Sequence, residues 1–130
     1  MVVEDTPDLR EFLVKNFEET YGVLSAKNGA EALAILEKQA CDLIISDALM
    51  PEMDGFELCR RVKSDLQYSH IPVLLLTAQT DVASKVEGLG TGADIYVEKP
   101  FSLEYLRASI SALLSNRELV RRHFLESPFA

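Results

Sequence analysis

Leu43-Ile44-Ile45-Ser46-Asp47-Ala48-Leu49-Met50-Pro51-Glu52-Met53-Asp54-Gly55 decides the fold of this chain. Leu43 to Ser46 is a continuous run without polar alternation, the pattern of a strand covered on both faces of a parallel sheet. A lone carboxylate, Asp47, ends it, and the segment to Gly55, broken by Pro51, reads as a long loop. The arrangement recurs along the chain. Two adjacent acids, Glu4 and Asp5, end Met1-Val2-Val3; Thr77 ends Val73-Leu74-Leu75-Leu76; Lys99 follows Ile95-Tyr96-Val97-Glu98. Each polar group lies at or just past the C-terminal end of an expected strand, the edge where open parallel α/β sheets bind ligands. Three carboxylates, one hydroxyl and one ammonium gathered there suit a divalent cation and a phosphoryl group.

Helical patterns separate these runs. Thr6-Pro7-Asp8 is a helix start, with Thr6 as cap, Pro7 in the first turn and Asp8 complementing the dipole. Leu9, Phe12, Leu13 and Phe17 recur at helical spacing, which predicts a helix to about Glu19. Tyr21 to Ala26 reads as a weaker second strand. Asn28, three residues before Glu31, opens a helix to about Gln39. Phe56 to Ser64 reads as a short helix, about Asp81 to Leu89 as another, and Ser102 caps a last one carrying Leu103, Leu106, Ile110, Leu113 and Leu114. The expectation is α/β, (βα)5: a doubly wound parallel five-stranded sheet with right-handed crossovers and helices on both faces.

At 130 residues the chain is one domain by length, with 48% hydrophobic and 26% charged residues. Its net charge of −8 argues against nonspecific binding to nucleic acid or anionic membrane. No apolar stretch approaches the ~20 residues of a membrane span, and no signal peptide opens the chain. Cys41 and Cys59 have no metal-ligand spacing and read as two reduced, buried thiols of a cytoplasmic protein. Met1-Val2-Val3 is shorter than the usual strand of about 5–6 residues, so the expectation is a segment trimmed from a longer chain.

Glu4-Asp5, Asp47 within Ser46 to Gly55, Thr77-Ala78, Gly92-Ala93-Asp94 and Lys99-Pro100-Phe101 together resemble the receiver domain of two-component response regulators, over about residues 1–115. Each motif is weak alone; their order, spacing and strand-end placement make the match specific. The resemblance implies a flavodoxin-like strand order 2-1-3-4-5. It implies that Asp47 accepts a phosphoryl group from the phosphohistidine of a histidine kinase. It further implies that Asp5, Asp47 and the Leu49 backbone carbonyl bind Mg2+, with Glu4 acting through water. Lys99, Thr77 and the Ala78 amide would hold phosphoryl oxygens, and a cis Lys99-Pro100 bond would position the lysine. Thr77 and Tyr96 would form the switch, altering the last two helices and fifth strand, roughly residues 81–114, to control an output domain. Without a cation the three carboxylates should repel one another, raising one pKa.

The chain departs from the pattern in places. The acid pair is Glu-Asp rather than Asp-Asp. Leu49 and Gln79 stand where the family tunes hydrolysis of the acyl phosphate, and an apolar Leu49 cannot orient a water, which predicts a long-lived phosphorylated state. A phosphorylation-dependent dimer is one outcome the family allows. Lys85 and Asp94 fit its charge network, but Ile95 and Ser109 replace an expected acid and Arg. Residues 116–130 read as a helical extension or a linker. With Ser69-His70-Ile71-Pro72-Val73, this tail resembles receivers embedded in hybrid sensor kinases that carry an AraC-type DNA-binding domain, outside these residues. Asp54-Gly55 reads as a turn, and His70 and His123 do not read as phosphodonors. Two other classes compete. An Asp-nucleophile phosphohydrolase would need a second acid where Leu49 stands, and a degenerate receiver would not retain Glu4, Asp5, Asp47, Thr77 and Lys99.

Overall fold

The alternation of apolar runs and helical patterns folds as expected into one parallel sheet with helices on both faces. The structure is a computed structural model and describes residues 1–78 and 90–126. The strands are β1 (Val2–Val3), β2 (Ser25–Ala26), β3 (Ile44–Asp47), β4 (Val73–Thr77) and β5 (Ile95–Glu98). The helices are α1 (Pro7–Phe17), α2 (Gly29–Leu36), α3 (Gly55–Ser64) and α4 (Leu103–Glu126). All strand pairs are parallel, in the order β2-β1-β3-β4-β5. The helix expected over 81–89, with Lys85, and the nearby Gln79 lie outside the described residues.

Side chains leave a strand alternately to its two faces, so each strand feeds two cores. Val3, Ile44, Val73 and Leu75 pack with Ala32, Leu36, Phe56, Leu58 and Val62 of α2 and α3. Val2, Ile45, Leu74, Leu76 and Val97 pack with Leu13, Phe17, Leu106 and Ile110 of α1 and α4. Phe56 is fully buried, and truncating it to Ala should cost about 3–5 kcal/mol.

The caps divide into those that formed and one that did not. Asn28 Oδ1 accepts the Glu31 amide at 2.8 Å, and Ser102 Oγ accepts the Tyr105 amide at 3.2 Å. Thr6 occupies the N-cap of α1, but its side chain makes no capping bond. Asp54 caps α3 by accepting the Glu57 amide at 2.9 Å, a firmer role than shaping a turn. The second strand is two residues, not six. An edge strand extends only as far as its neighbour, and β1 offers only Val2 and Val3 for pairing. Tyr21 meanwhile lies in the turn that follows α1, its amide donating to the Phe17 carbonyl at 2.9 Å. The predicted C-terminal extension is continuous with the last helix, which runs to Glu126.

Candidate functional site

Parallel register brings the strand ends together. Asp47 lies beside Leu76, and Thr77 beside Glu98. Two bonds carry the ladder past the strands: the Ala48 amide donates to the Leu76 carbonyl, and the Lys99 amide to the Thr77 carbonyl, each at 2.8 Å. The Lys99-Pro100 bond is cis. Lys99 Nζ lies 3.0 Å from Asp47 Oδ2 and 3.9 Å from Glu4 Oε1, so it bonds the first and only faces the second.

Glu4, Asp5 and Asp47 each offer a carboxylate oxygen, all within 4.8 Å of one another. The Glu4 side chain is 1% exposed, and its Oε1 has no hydrogen-bond partner. Burial, then the charge of Asp47 and side-chain contact with Asp5 and Asp47, push the Glu4 carboxyl from 4.5 to about 7, against the opposing pull of Lys99. The expected raised pKa therefore falls on Glu4, with desolvation ahead of repulsion as its cause. Three carboxylate oxygens this close, one of them buried without a donor, are oxygen ligands of the kind a hard divalent cation takes.

The loop after β3 is braced by contacts that the sequence reading did not anticipate. Ser46 Oγ donates to the Asp47 carbonyl at 2.9 Å, and the Gly55 amide to the Ala48 carbonyl at 2.9 Å. A methyl at Gly55 would run into the Asp47 carbonyl, so only glycine fits there. The Gly29 amide donates to the Met53 carbonyl at 2.9 Å, and Asn28 Nδ2 to Glu52 Oε2 at 3.1 Å. Glu52 itself has φ 66°, a left-handed conformation that costs a residue with a Cβ roughly 1–2 kcal/mol. Close contacts of this kind leave no periodic signal in a sequence. The Asp-Gly pair before α3 was the one cue.

Other anticipated residues take these places. Thr77 is buried at the end of β4 and Ala78 exposed just beyond it. Leu49 lies two residues past Asp47 with its side chain exposed. Tyr96 is half-buried against the α2–α3 core, its hydroxyl 3.3 Å from Thr91 Oγ1. Asp94, grouped with Lys85 as a dimer contact, is engaged within the chain. Its Oδ2 accepts the Val73 amide at 2.8 Å and pairs with Lys63 Nζ at 2.9 Å. His70 is exposed in a turn. Both cysteines are free and buried, and burial pushes the Cys59 thiol up. No helix among the described residues is long and apolar enough to cross a membrane.

Fold and crevice together define a flavodoxin-like α/β domain with an acidic site at the carboxyl edge of its sheet. Residues 1–111 match the response regulator receiver domain, and the chain belongs to that family. It is a receiver domain of two-component signal transduction. Histidine kinase P4 of Formosa agariphila is 43% identical over 124 residues, which are 95% of this chain and 9% of that protein. Response regulator MprA of a Mycobacterium species is 40% identical over 115 residues, 88% of this chain and 49% of that one. The chain thus spans from under a tenth to about half of these relatives. The signal receiver domain of a signal transduction histidine kinase from Syntrophus aciditrophicus superposes with a TM-score of 0.85 at 42% identity, covering 88% of each chain.

Proposed function

We propose that Asp47 is the phosphoacceptor of this receiver, taking its phosphoryl group from a phosphohistidine on a histidine kinase. The observation that carries the reading is Asp47, paired with Lys99 at 3.0 Å, beside the partnerless buried oxygen of Glu4. An Asp47 oxygen attacks phosphorus as the P–N bond breaks, and the imidazole nitrogen keeps the bonding pair. Acyl phosphates form from carboxylate nucleophiles in this way. The transition state is loose, so positioning and charge neutralisation are what the protein supplies. Lys99 follows the charge from carboxylate to phosphoryl oxygen, while Thr77 and the Ala78 amide hold another oxygen.

Asp5, Asp47 and the Leu49 carbonyl are the direct ligands we assign to Mg2+, with Glu4 acting through water. When bound, the cation supplies charge neutralisation for both the carboxylates and the transferring group. The domain promotes its own phosphorylation and dephosphorylation, and with an apolar Leu49 the second is slow.

Phosphorylation adds about 1.5 to 2 negative charges beside Thr77. Thr77 moves toward them and Tyr96 turns inward, changing the surface of roughly residues 81–114 for a DNA-binding output domain outside this segment. We place the domain in the cytoplasm, with residues 116–130 leading toward that output. Amide NMR shifts compared with and without beryllofluoride and Mg2+ test the switch; silence around Tyr96 would sink it. Incubation with acetyl phosphate and Mg2+, followed by intact mass, tests the acceptor. A single phosphoryl adduct that is lost in Asp47→Asn is expected. Multiple-turnover hydrolysis of an added phosphoester, or no adduct at all, would overturn the assignment.

A further inference from the structure

The acid pair lies just past β1, where the pairing with β2 runs out. The Glu4 amide donates to the Ala26 carbonyl at 3.0 Å, the last bond from β1 to β2, because β2 ends there. The Glu4 carbonyl, next along the strand, accepts instead from a side chain. Arg10, half-buried in α1, donates to it from Nη1 at 2.8 Å. The Arg10 amide is itself bonded to the Thr6 carbonyl at 3.0 Å, so the guanidinium projects from the first ordered turn of the helix.

A peptide unit is planar, so fixing the Glu4 carbonyl also fixes the Asp5 amide and the plane from which the next side chain departs. A bond from a charged donor is stronger than a neutral one. We propose that Arg10 is a positioning residue. By holding the Glu4–Asp5 peptide it aims both carboxylates at Asp47, with the spacing a divalent cation needs. This rests on the reading of the acidic cluster as the Mg2+ site.

The sign of the effect separates positioning from charge. As a positive charge near the cluster, Arg10 would repel a cation, and its removal would tighten binding. As a positioning group its loss weakens binding, and groups that orient metal ligands are commonly worth 10- to 100-fold in affinity.

The experiment is an NMR titration of the wild-type chain, Arg10→Ala and Arg10→Lys with MgCl2, preceded by spectra in EDTA. Arg10→Ala should raise the Mg2+ Kd about tenfold, and Arg10→Lys, which keeps a charged donor, should restore part of the loss. In EDTA, Arg10→Ala should move the backbone shifts of Glu4, Asp5 and Asp47 while leaving Leu13 and Phe17 in place. An unchanged or lower Kd overturns the proposal, as do cation-free shifts confined to α1. If the wild type binds no Mg2+, the assignment of the cation fails by itself. The spectra in EDTA then decide for or against Arg10 alone. Should Arg10→Ala fail to fold, Arg10→Gln is read in its place by the same criteria.

Discussion

The two edges of the sheet carry similar chemistry and treat it in opposite ways. At the amino edge, charged groups find partners within the chain. Asp94 bonds the Val73 amide and Lys63, and Arg117 donates to the Asp42 carbonyl at 2.9 Å and Oδ1 at 3.1 Å. The Met1 ammonium donates to the Leu43 carbonyl at 2.7 Å. A cavity of about 580 Å3 also opens at this edge, between Phe17, Val23, Leu43, Ile110 and Leu114. At the carboxyl edge three carboxylates share one ammonium, and Glu4 Oε1 has no donor. The cavity lies at the amino edge, but the acidic cluster is at the other end. Where polar groups satisfy one another the fold is being held; where a buried acceptor such as Glu4 Oε1 has no donor, stability is given up, as at sites built for a function.

Among changes that probe the two edges, the largest effect should come from the backbone beneath the site. Gly55→Ala places a methyl against the Asp47 carbonyl and should cost about 3 kcal/mol in urea unfolding. A loss below 1 kcal/mol would mean that the loop gives way easily.

Glu4→Gln should do the reverse. The folded pKa of Glu4, about 7, lies above its ordinary 4.5. Its favourable contribution is therefore full below pH 4.5 and is lost as pH rises through 7, because the folded state must then bury a charge. At pH 8 without divalent cation, Glu4→Gln should be more stable than wild type by roughly 2–3 kcal/mol. The advantage should shrink toward pH 4.5, and Mg2+ should reduce it by stabilising the wild type more than the variant. A difference that does not vary with pH would refute the burial of a charge at Glu4.

Asp94→Ala at the opposite edge leaves the Val73 amide and Lys63 without their carboxylate and should cost about 1–3 kcal/mol. Phosphorylation by acetyl phosphate should be unaffected; impairment there would tie the two edges together. Smallest of all, Arg117→Ala removes an exposed pair with Asp42 and should change stability by ~0.5 kcal/mol or less.

The gathering of Glu4, Asp5, Asp47 and Lys99 was legible because each of these candidate residues follows a strand-like run. The bounds of β4 and β5, the Asn28 cap and the order of the described strands and helices were likewise carried by neighbours close in the chain. What escaped reading depends on groups far apart in it. Thr6 has the composition of a cap, yet makes no capping bond. Asp94 looked available for a partner molecule, and only folding places Lys63 beside it. Arg10 belongs to an ordinary helical pattern until the end of β2 leaves the Glu4 carbonyl for it.

By itself, the sequence determined the five strands and the four described helices, a polar residue at the end of four of the strands, and hence the kind of chemistry the chain offers. Periodicity and capping are local, and local spacing is what a sequence displays. The tertiary structure alone decided which polar groups pair and which remain unsatisfied. It tied Asp94 into the amino edge, closed the Asp47 loop over Gly55, and buried Glu4 without a donor. Those outcomes depend on register between distant strands and on desolvation, which no single stretch of the chain contains.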